Sequence, residues 1–142
     1  MLTSATSLEL EGLVAPGLGE GSRFTAIEWV IAEFRKKLGF VPWPGTFNLY
    51  MHGRLWKRGR SRMLAEAAID ITPQAGFCAA KCFAVRIAGQ ITGAVVLPEM
   101  EGYPDNKLEI VAPVPVRETL GVRDGDRVHL RIDIAQSTVR SR

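Results

Sequence analysis

The segment KCFAVRIAGQITGAVVL, residues 81–97, predicts two β-strands joined by a tight turn. Lys81 to Ile87 and Ile91 to Leu97 are rich in apolar and β-branched residues, and Ala88-Gly89-Gln90 is short enough to close a hairpin. The hairpin favours a fold in which neighbouring strands follow one another directly along the chain.

Further short strands are predicted on both sides of this hairpin. Alternating or uniformly apolar residues mark Leu8 to Val14, Thr46 to Met51, Leu108 to Val111 and Arg127 to Ile134. Many short strands without a regular strand–helix alternation indicate a mainly β fold, a small β-barrel with helical embellishment. We expect one domain over residues 8–134, with flexible tails at 1–7 and 135–142.

Two helical segments interrupt the strands. Thr25 and Glu28 form a Ser/Thr-x-x-Glu capping box, and apolar residues then recur at helical spacing as far as Leu38, with Gly39 placed to end the helix. A brief helical turn is predicted from Val116 to Leu120, before Gly121.

The segment from His52 to Met63 is basic and poorly periodic, and it contains a single tryptophan. One tryptophan is not a stacking platform for bases, so we interpret this segment as a solvated loop rather than a nucleic-acid patch. The net charge of +3 suits an anionic ligand but is small for a dedicated nucleic-acid binder. The next segment, Leu64 to Thr72, fits a strand or a short helix.

Composition excludes some broad classes of protein. The 142 residues contain no apolar run approaching the roughly 20 residues that span a bilayer. The first seven residues lack the basic and apolar regions of a secretory signal, and we expect a cytoplasmic monomer. Cys78 and Cys82 are four residues apart and could share a helix face; we interpret them as buried thiols rather than zinc or redox residues.

A glycine-rich loop, Gly17-Leu18-Gly19-Glu20-Gly21, lies between the first strand and the first helix. In that position, backbone N–H groups can cradle phosphates. The loop matches neither the P-loop nor the dinucleotide fingerprint, so a simple tight turn is an equally good interpretation.

Thr46 and Asn48 are two residues apart in a predicted strand, so their side chains lie on the same face. A hydroxyl and an amide carbonyl are hard oxygen donors suited to Mg²⁺, although spacing alone favours capping of the turn at Pro44-Gly45. Glu109 lies within an apolar stretch, where a carboxylate needs a partner or a cleft.

In order along the chain, these motifs resemble those of the archaeal-type CTP-dependent riboflavin kinases. The resemblance covers roughly residues 8–134. The matching motifs are Gly17-Leu18-Gly19-Glu20-Gly21, Leu38-Gly39-Phe40, Pro44-Gly45-Thr46-Phe47-Asn48, Gly93-Ala94-Val95-Val96-Leu97-Pro98, Glu109-Ile110-Val111-Ala112-Pro113, Arg117-Glu118 and Asp124-Gly125-Asp126.

The resemblance implies a six-stranded cradle-loop barrel that transfers the γ-phosphoryl group of CTP to the ribityl 5′-hydroxyl of riboflavin, giving FMN and CDP with Mg²⁺. By this match, Thr46 and Asn48 would bind Mg²⁺, and Glu109 would be catalytic and contact the flavin. The residues expected to bind the nucleotide are Gly17, Leu18, Gly19, Glu20, Gly21, Ser22, Val114, Pro115, Val116 and Arg117.

One position departs from the family pattern. Glu101 occupies the place of a family threonine that contacts the flavin phosphate, so Glu101 is expected at the flavin end of the site. A carboxylate repels a phosphate unless a cation intervenes. This departure motivates an alternative function, a CTP-dependent kinase of another small alcohol.

A further alternative is a non-catalytic nucleotide- or DNA-binding barrel. The run from Leu120 to Val128 also resembles the swapped-hairpin transcription factors, which bind DNA as dimers. Those chains have no counterpart of the glycine-rich loop or of Thr46-Phe47-Asn48. We therefore expect small-molecule substrates, CTP and riboflavin, rather than nucleic acid.

Overall fold

The computed structural model describes residues 7–17, 28–66, 68–71 and 80–134. Its elements, in chain order, are β1 (Ser7–Ala15), α1 (Glu28–Leu38), β2 (Phe47–Tyr50), α2 (Gly53–Ala65), β3 (Ile69–Ile71), β4 (Ala80–Ile87), β5 (Ile91–Pro98), β6 (Lys107–Val111), α3 (Val116–Leu120) and β7 (Arg127–Asp133). None of the described helices is long and apolar enough to cross a membrane.

Six strands close into an antiparallel barrel in the order β4-β5-β6-β2-β1-β7, and β7 returns to pair with β4. The free edge of β4 is shared: Val85–Ile87 pairs with β7, whereas Ala80–Cys82 pairs with the short strand β3 outside the barrel. Closure leaves no long unpaired edge within the barrel. The prediction of a mainly β, six-stranded barrel is confirmed.

The barrel interior is filled by the inward-facing residues of its strands. Leu10, Leu49, Ile110 and Leu130, from four different strands, all belong to one buried apolar cluster. The alternation that predicted β1, β2 and β7 is the same alternation that places their side chains inside. Burial of this cluster supplies the main driving force for closing the barrel.

The hairpin of β4 and β5 forms as predicted. Gln90 donates its backbone N–H to the Ile87 carbonyl over 2.9 Å, and Ala88 and Gly89 have φ of 52° and 67°. Positive φ at both central residues is the turn geometry that matches the twist of the paired strands. The Ala88 N–H also donates to the His129 carbonyl, which ties the turn to β7.

Helix α1 packs on the outside of the barrel. Val30 and Phe34 are buried there against residues of β3 to β6, in a second apolar cluster that contains Cys82. The helix ends at Gly39, as predicted, with φ of 84°. The Thr25 half of the predicted capping box lies outside the described residues.

The interpretation of His52 to Met63 as a loop is wrong, because Gly53–Ala65 forms α2. Trp56, Gly59 and Met63 are buried at positions i, i+3 and i+7, so a narrow stripe of the helix faces the barrel. A Cβ on Gly59 would lie 3.2 Å from Leu8 Cδ1, which shows how closely the helix approaches β1. The stripe is hard to find in the sequence because a glycine occupies its middle.

Three other local predictions have clear outcomes. Cys82 lies on β4 and not on a helix, although it is buried as expected, and Cys78 lies outside the described residues. The ambiguous segment from Leu64 onward divides into the end of α2 and the strand β3. Helix α3 forms with the predicted bounds and is closed by Gly121 at φ of 70°.

Candidate active site

The candidate site is built on two neighbouring strands, β2 and β6. Asn48 on β2 is the register partner of Glu109 on β6. The Thr46 hydroxyl, just before β2, lies 3.3 Å from Asn48 Oδ1 and 3.3 Å from Glu109 Oε1. Strand pairing thus brings together three predicted site residues, although Thr46 and Glu109 are 63 positions apart in sequence. We call Thr46, Asn48 and Glu109 the oxygen cluster.

Asn48 is the one buried polar side chain in the part of the chain that the structure describes, and it is 6% exposed. Its Nδ2 donates to the Thr46 carbonyl over 3.1 Å, which turns Oδ1 toward the Thr46 hydroxyl. That hydroxyl has one proton and two possible acceptors. A charged acceptor forms the stronger hydrogen bond, so the proton favours Glu109 and leaves lone pairs of Thr46 and Asn48 facing each other.

The Glu109 carboxylate has further partners on its other oxygen. The Tyr103 hydroxyl donates to Oε2 over 2.5 Å, and Lys107 Nζ lies 3.7 Å from the same oxygen. Lys107 also lies over the Tyr103 ring, 5.7 Å from its centroid. Burial, with the hydrogen bond and negative charge of Glu109, raises the pKa of Tyr103 well above its usual value of 10.0. Tyr103 therefore stays protonated and remains a donor.

Sequence reasoning missed both Tyr103 and Lys107. Lys107 carried a usable signal, because residues two apart on a strand share a face and so place it beside Glu109. Tyr103 carried none, because it lies in the loop between β5 and β6, where no periodicity applies.

A cleft of about 210 Å³ meets the oxygen cluster at Thr46, whereas Asn48 and Glu109 do not line it. One wall is the turn from Trp43 to Phe47, and the other includes Val114, Pro115, Val116 and Arg117, the second predicted nucleotide-binding segment. The Trp43 N–H donates to the Ala112 carbonyl over 2.7 Å, which fixes the turn against the end of β6.

The predicted nucleotide loop begins at this same place. A Cβ on Gly17 would lie 2.7 Å from Asn48 Nδ2, so any other residue here would force the Asn48 amide to shift. Arg117 Nη2 donates to the Ala15 carbonyl over 3.0 Å and also pairs with Asp124. Gly17 and Arg117 are thereby held at one end of the barrel. Leu18 to Ser22 lie outside the described residues.

Glu101 stands apart from this arrangement. It is exposed in the turn between β5 and β6, next to Gly102 with φ of 86°. Among the described residues, no hydrogen bond or ion pair links Glu101 to the oxygen cluster. The described residues also contain no group of three or more His, Cys, Asp or Glu side chains able to hold a metal ion.

Comparison with known proteins places the chain in a family. Residues 14–132 match the family model CTP-dep_RFKase, described as a domain of unknown function, DUF120. The riboflavin kinase of Methanosarcina mazei is 40% identical over 125 residues, which cover 86% of this chain and 55% of that protein. The riboflavin kinase of Archaeoglobus fulgidus is 38% identical over 133 residues, covering 89% and 55%, respectively. That of Pyrobaculum arsenaticum is 37% identical over 131 residues, covering 89% and 61%.

The chain therefore spans between half and two thirds of the length of these curated relatives. The match to the family model nevertheless includes β2, β6 and α3, the elements that carry the described part of the candidate site. This chain belongs to the CTP-dependent riboflavin kinase family.

Proposed function

We propose that this chain transfers the γ-phosphoryl group of CTP to the ribityl 5′-hydroxyl of riboflavin, giving FMN and CDP. The observation that carries the proposal is the convergence of Thr46, Asn48 and Glu109 in a chain of this family, with Thr46 also lining the cleft. Phosphoryl transfer needs positioning and charge neutralisation more than covalent catalysis by the protein. Oxygen ligands for a cation and one carboxylate, joined through Thr46 to the wall of a cleft, meet those needs.

The nucleotide is proposed to bind between the loop Gly17 to Ser22 and the segment Val114 to Arg117. Arg117 supports this placement. Both hydrogen bonds that its side chain donates use Nη2, whereas its guanidinium has five N–H donors. The remaining donors suit phosphate oxygens. Its contact with the Ala15 carbonyl also ties Arg117 to the end of β1, two residues before Gly17.

The oxygen cluster is a reasonable fit for Mg²⁺. Metal–oxygen distances of about 2.1 Å put neighbouring octahedral ligands roughly 3.0 Å apart, close to the 3.3 Å between Thr46 Oγ1 and Asn48 Oδ1. The facing lone pairs of these atoms are an arrangement that a cation stabilises. Thr46 and Asn48 would hold the ion, with nucleotide phosphates completing its shell. When bound there, Mg²⁺ would neutralise charge on the phosphate oxygens.

Glu109 is proposed to act on the acceptor. Its carboxylate would accept a hydrogen bond from the 5′-hydroxyl and take the proton as the new O–P bond forms and the bond to the CDP oxygen breaks. The hydrogen bond that Thr46 donates to Oε1 supports this role. It links Glu109, proposed to contact the acceptor hydroxyl, to Thr46, proposed to hold the ion at the nucleotide phosphates. The active unit is proposed to be a monomer, and this is supported by the meeting of Thr46, Asn48 and Glu109 within one chain.

The test is to incubate purified protein with riboflavin, Mg²⁺ and each of the four ribonucleoside triphosphates, and to measure FMN by chromatography. We expect FMN with CTP and little with the other three. Absence of FMN with every nucleotide, from folded protein, would refute the proposal. CDP formation stimulated by a different small alcohol would instead favour the alternative that Glu101 motivates.

A further inference from the structure

Tyr103 is a polar residue of the site to which sequence reasoning assigned no role. Its hydroxyl donates to Glu109 Oε2 over 2.5 Å, while Thr46 donates to Oε1 over 3.3 Å. A carboxylate that receives one donor on each oxygen cannot rotate without breaking one of the two bonds. The remaining lone pairs of both oxygens then keep a fixed direction.

The loop that carries Tyr103 is itself held in place. The Met51 N–H donates to the Asn106 carbonyl over 2.8 Å, and Trp56 Nε1 donates to the Asp105 carbonyl over 2.8 Å. Trp56 is buried on α2, so the helix anchors the loop to the barrel. The Tyr103 N–H donates to the Met100 carbonyl over 3.2 Å and closes a turn within the loop. Tyr103 therefore approaches Glu109 from a fixed backbone.

The charges around Tyr103 favour the same arrangement. Lys107 Nζ lies over the ring and 3.7 Å from Glu109 Oε2, so its positive charge attracts the carboxylate. Burial and Glu109 raise the pKa of Tyr103, and Arg60 on α2 lowers it by a smaller amount. The hydroxyl keeps its proton, and Glu109 keeps its donor.

We propose that Tyr103 is a positioning residue that holds the Glu109 carboxylate toward the acceptor hydroxyl. This inference rests on the proposed function, because it assigns Tyr103 an effect on the reaction that Glu109 assists. Tyr103 itself touches neither substrate in this proposal. Its effect on the rate passes entirely through Glu109.

The first experiment is Tyr103→Phe, which removes the hydroxyl and keeps the ring beside Lys107. Loss of a hydrogen bond to a charged group predicts a fall in kcat of about 10- to 100-fold. We expect KM for CTP and the affinity for CDP to change less than about twofold, because the nucleotide end is untouched. Tyr50→Phe is the matched control; Tyr50 is the other of the two tyrosines, is 44% exposed, and should keep wild-type kcat.

A double-mutant cycle separates positioning from a general structural role. In a Glu109→Gln background, Tyr103→Phe should lower kcat by less than about threefold, because its target is already gone. An equal loss in both backgrounds would overturn the proposal, as would wild-type kcat in Tyr103→Phe. A large fall in melting temperature for Tyr103→Phe would also overturn it, since that would make Tyr103 a stability residue. If the wild type forms no FMN, the proposed function fails first, and the positioning role fails with it.

Discussion

Replacing Glu109 by glutamine is the most informative single change at the site, because it removes the charge and keeps the shape. The amide still offers one oxygen to a donor, but its NH₂ group faces the second. Both donors are hydroxyls, Tyr103 and Thr46, and a hydroxyl hydrogen can rotate toward another acceptor. The backbone pairing of Glu109 with Asn48 is unaffected.

The structural cost of Glu109→Gln should be small. The ion pair with Lys107 joins side chains that are 26% and 19% exposed, and pairs of this kind contribute about 0–1 kcal/mol. Two charge-assisted hydrogen bonds become neutral ones, which costs roughly another 1 kcal/mol. A total of about 1–2 kcal/mol predicts a melting temperature lower by roughly 2–8 °C.

The effect on the reaction should be larger. A positioned general base contributes about 10²–10⁴ to the rate, and the loose transition state of phosphoryl transfer favours the low end. We therefore predict a kcat about 100-fold lower, equivalent to about 2.7 kcal/mol of lost transition-state stabilisation. Steady-state FMN formation at saturating CTP and riboflavin measures kcat, and calorimetric unfolding measures stability. A kcat within threefold of wild type would refute the role of Glu109, and a variant that does not fold would refute the small structural cost.

Two further predictions concern Gly17, beside the oxygen cluster, and Cys82, in the apolar cluster under α1. Gly17→Ala places a Cβ 2.7 Å from Asn48 Nδ2. We therefore expect the affinity for CDP in the presence of Mg²⁺, measured by calorimetry, to fall at least about tenfold. An unchanged affinity would contradict the placement of the glycine-rich loop. Burial raises the pKa of the Cys82 thiol from 9.0 to about 12, so the folded state keeps a proton that the unfolded state loses above pH 9. This stabilisation is fully present below pH 9 and is lost as pH rises toward 12. The free energy of unfolding, measured with urea, should therefore fall between pH 8 and pH 10 by about 1.4 kcal/mol more in the wild type than in Cys82→Ala. Parallel losses in the two proteins would show that the thiol does not titrate in this way.

The strands of the barrel could be predicted because their signals are local. Alternation along β7 and β1, and the short turn between β4 and β5, depend only on neighbouring residues. Helix α3 could also be predicted from local signals, because Gly121 marks its end. Helix α2 could not be predicted in this way. Only Trp56, Gly59 and Met63 are buried, and basic residues occupy many of its other positions.

The oxygen cluster required knowledge of strand pairing. Spacing placed Thr46 and Asn48 on one face, but nothing local indicates that Asn48 pairs with Glu109 on a strand some 60 residues later. Without that register, capping of the turn was the better interpretation of Thr46 and Asn48. Tyr103 was out of reach for the same reason, since its partner is defined by the position of a loop.

The most direct test of the central claim is to follow both products of the reaction in wild type and in Asn48→Ala. With γ-labelled CTP, riboflavin and Mg²⁺, the wild type should form labelled FMN and unlabelled CDP in equal amounts. Asn48→Ala removes the buried amide beside Thr46 and should form less than about a hundredth as much FMN, while its folding is verified by circular dichroism. Wild-type protein that binds CDP yet forms no labelled FMN would contradict the account, as would an Asn48→Ala variant with full activity.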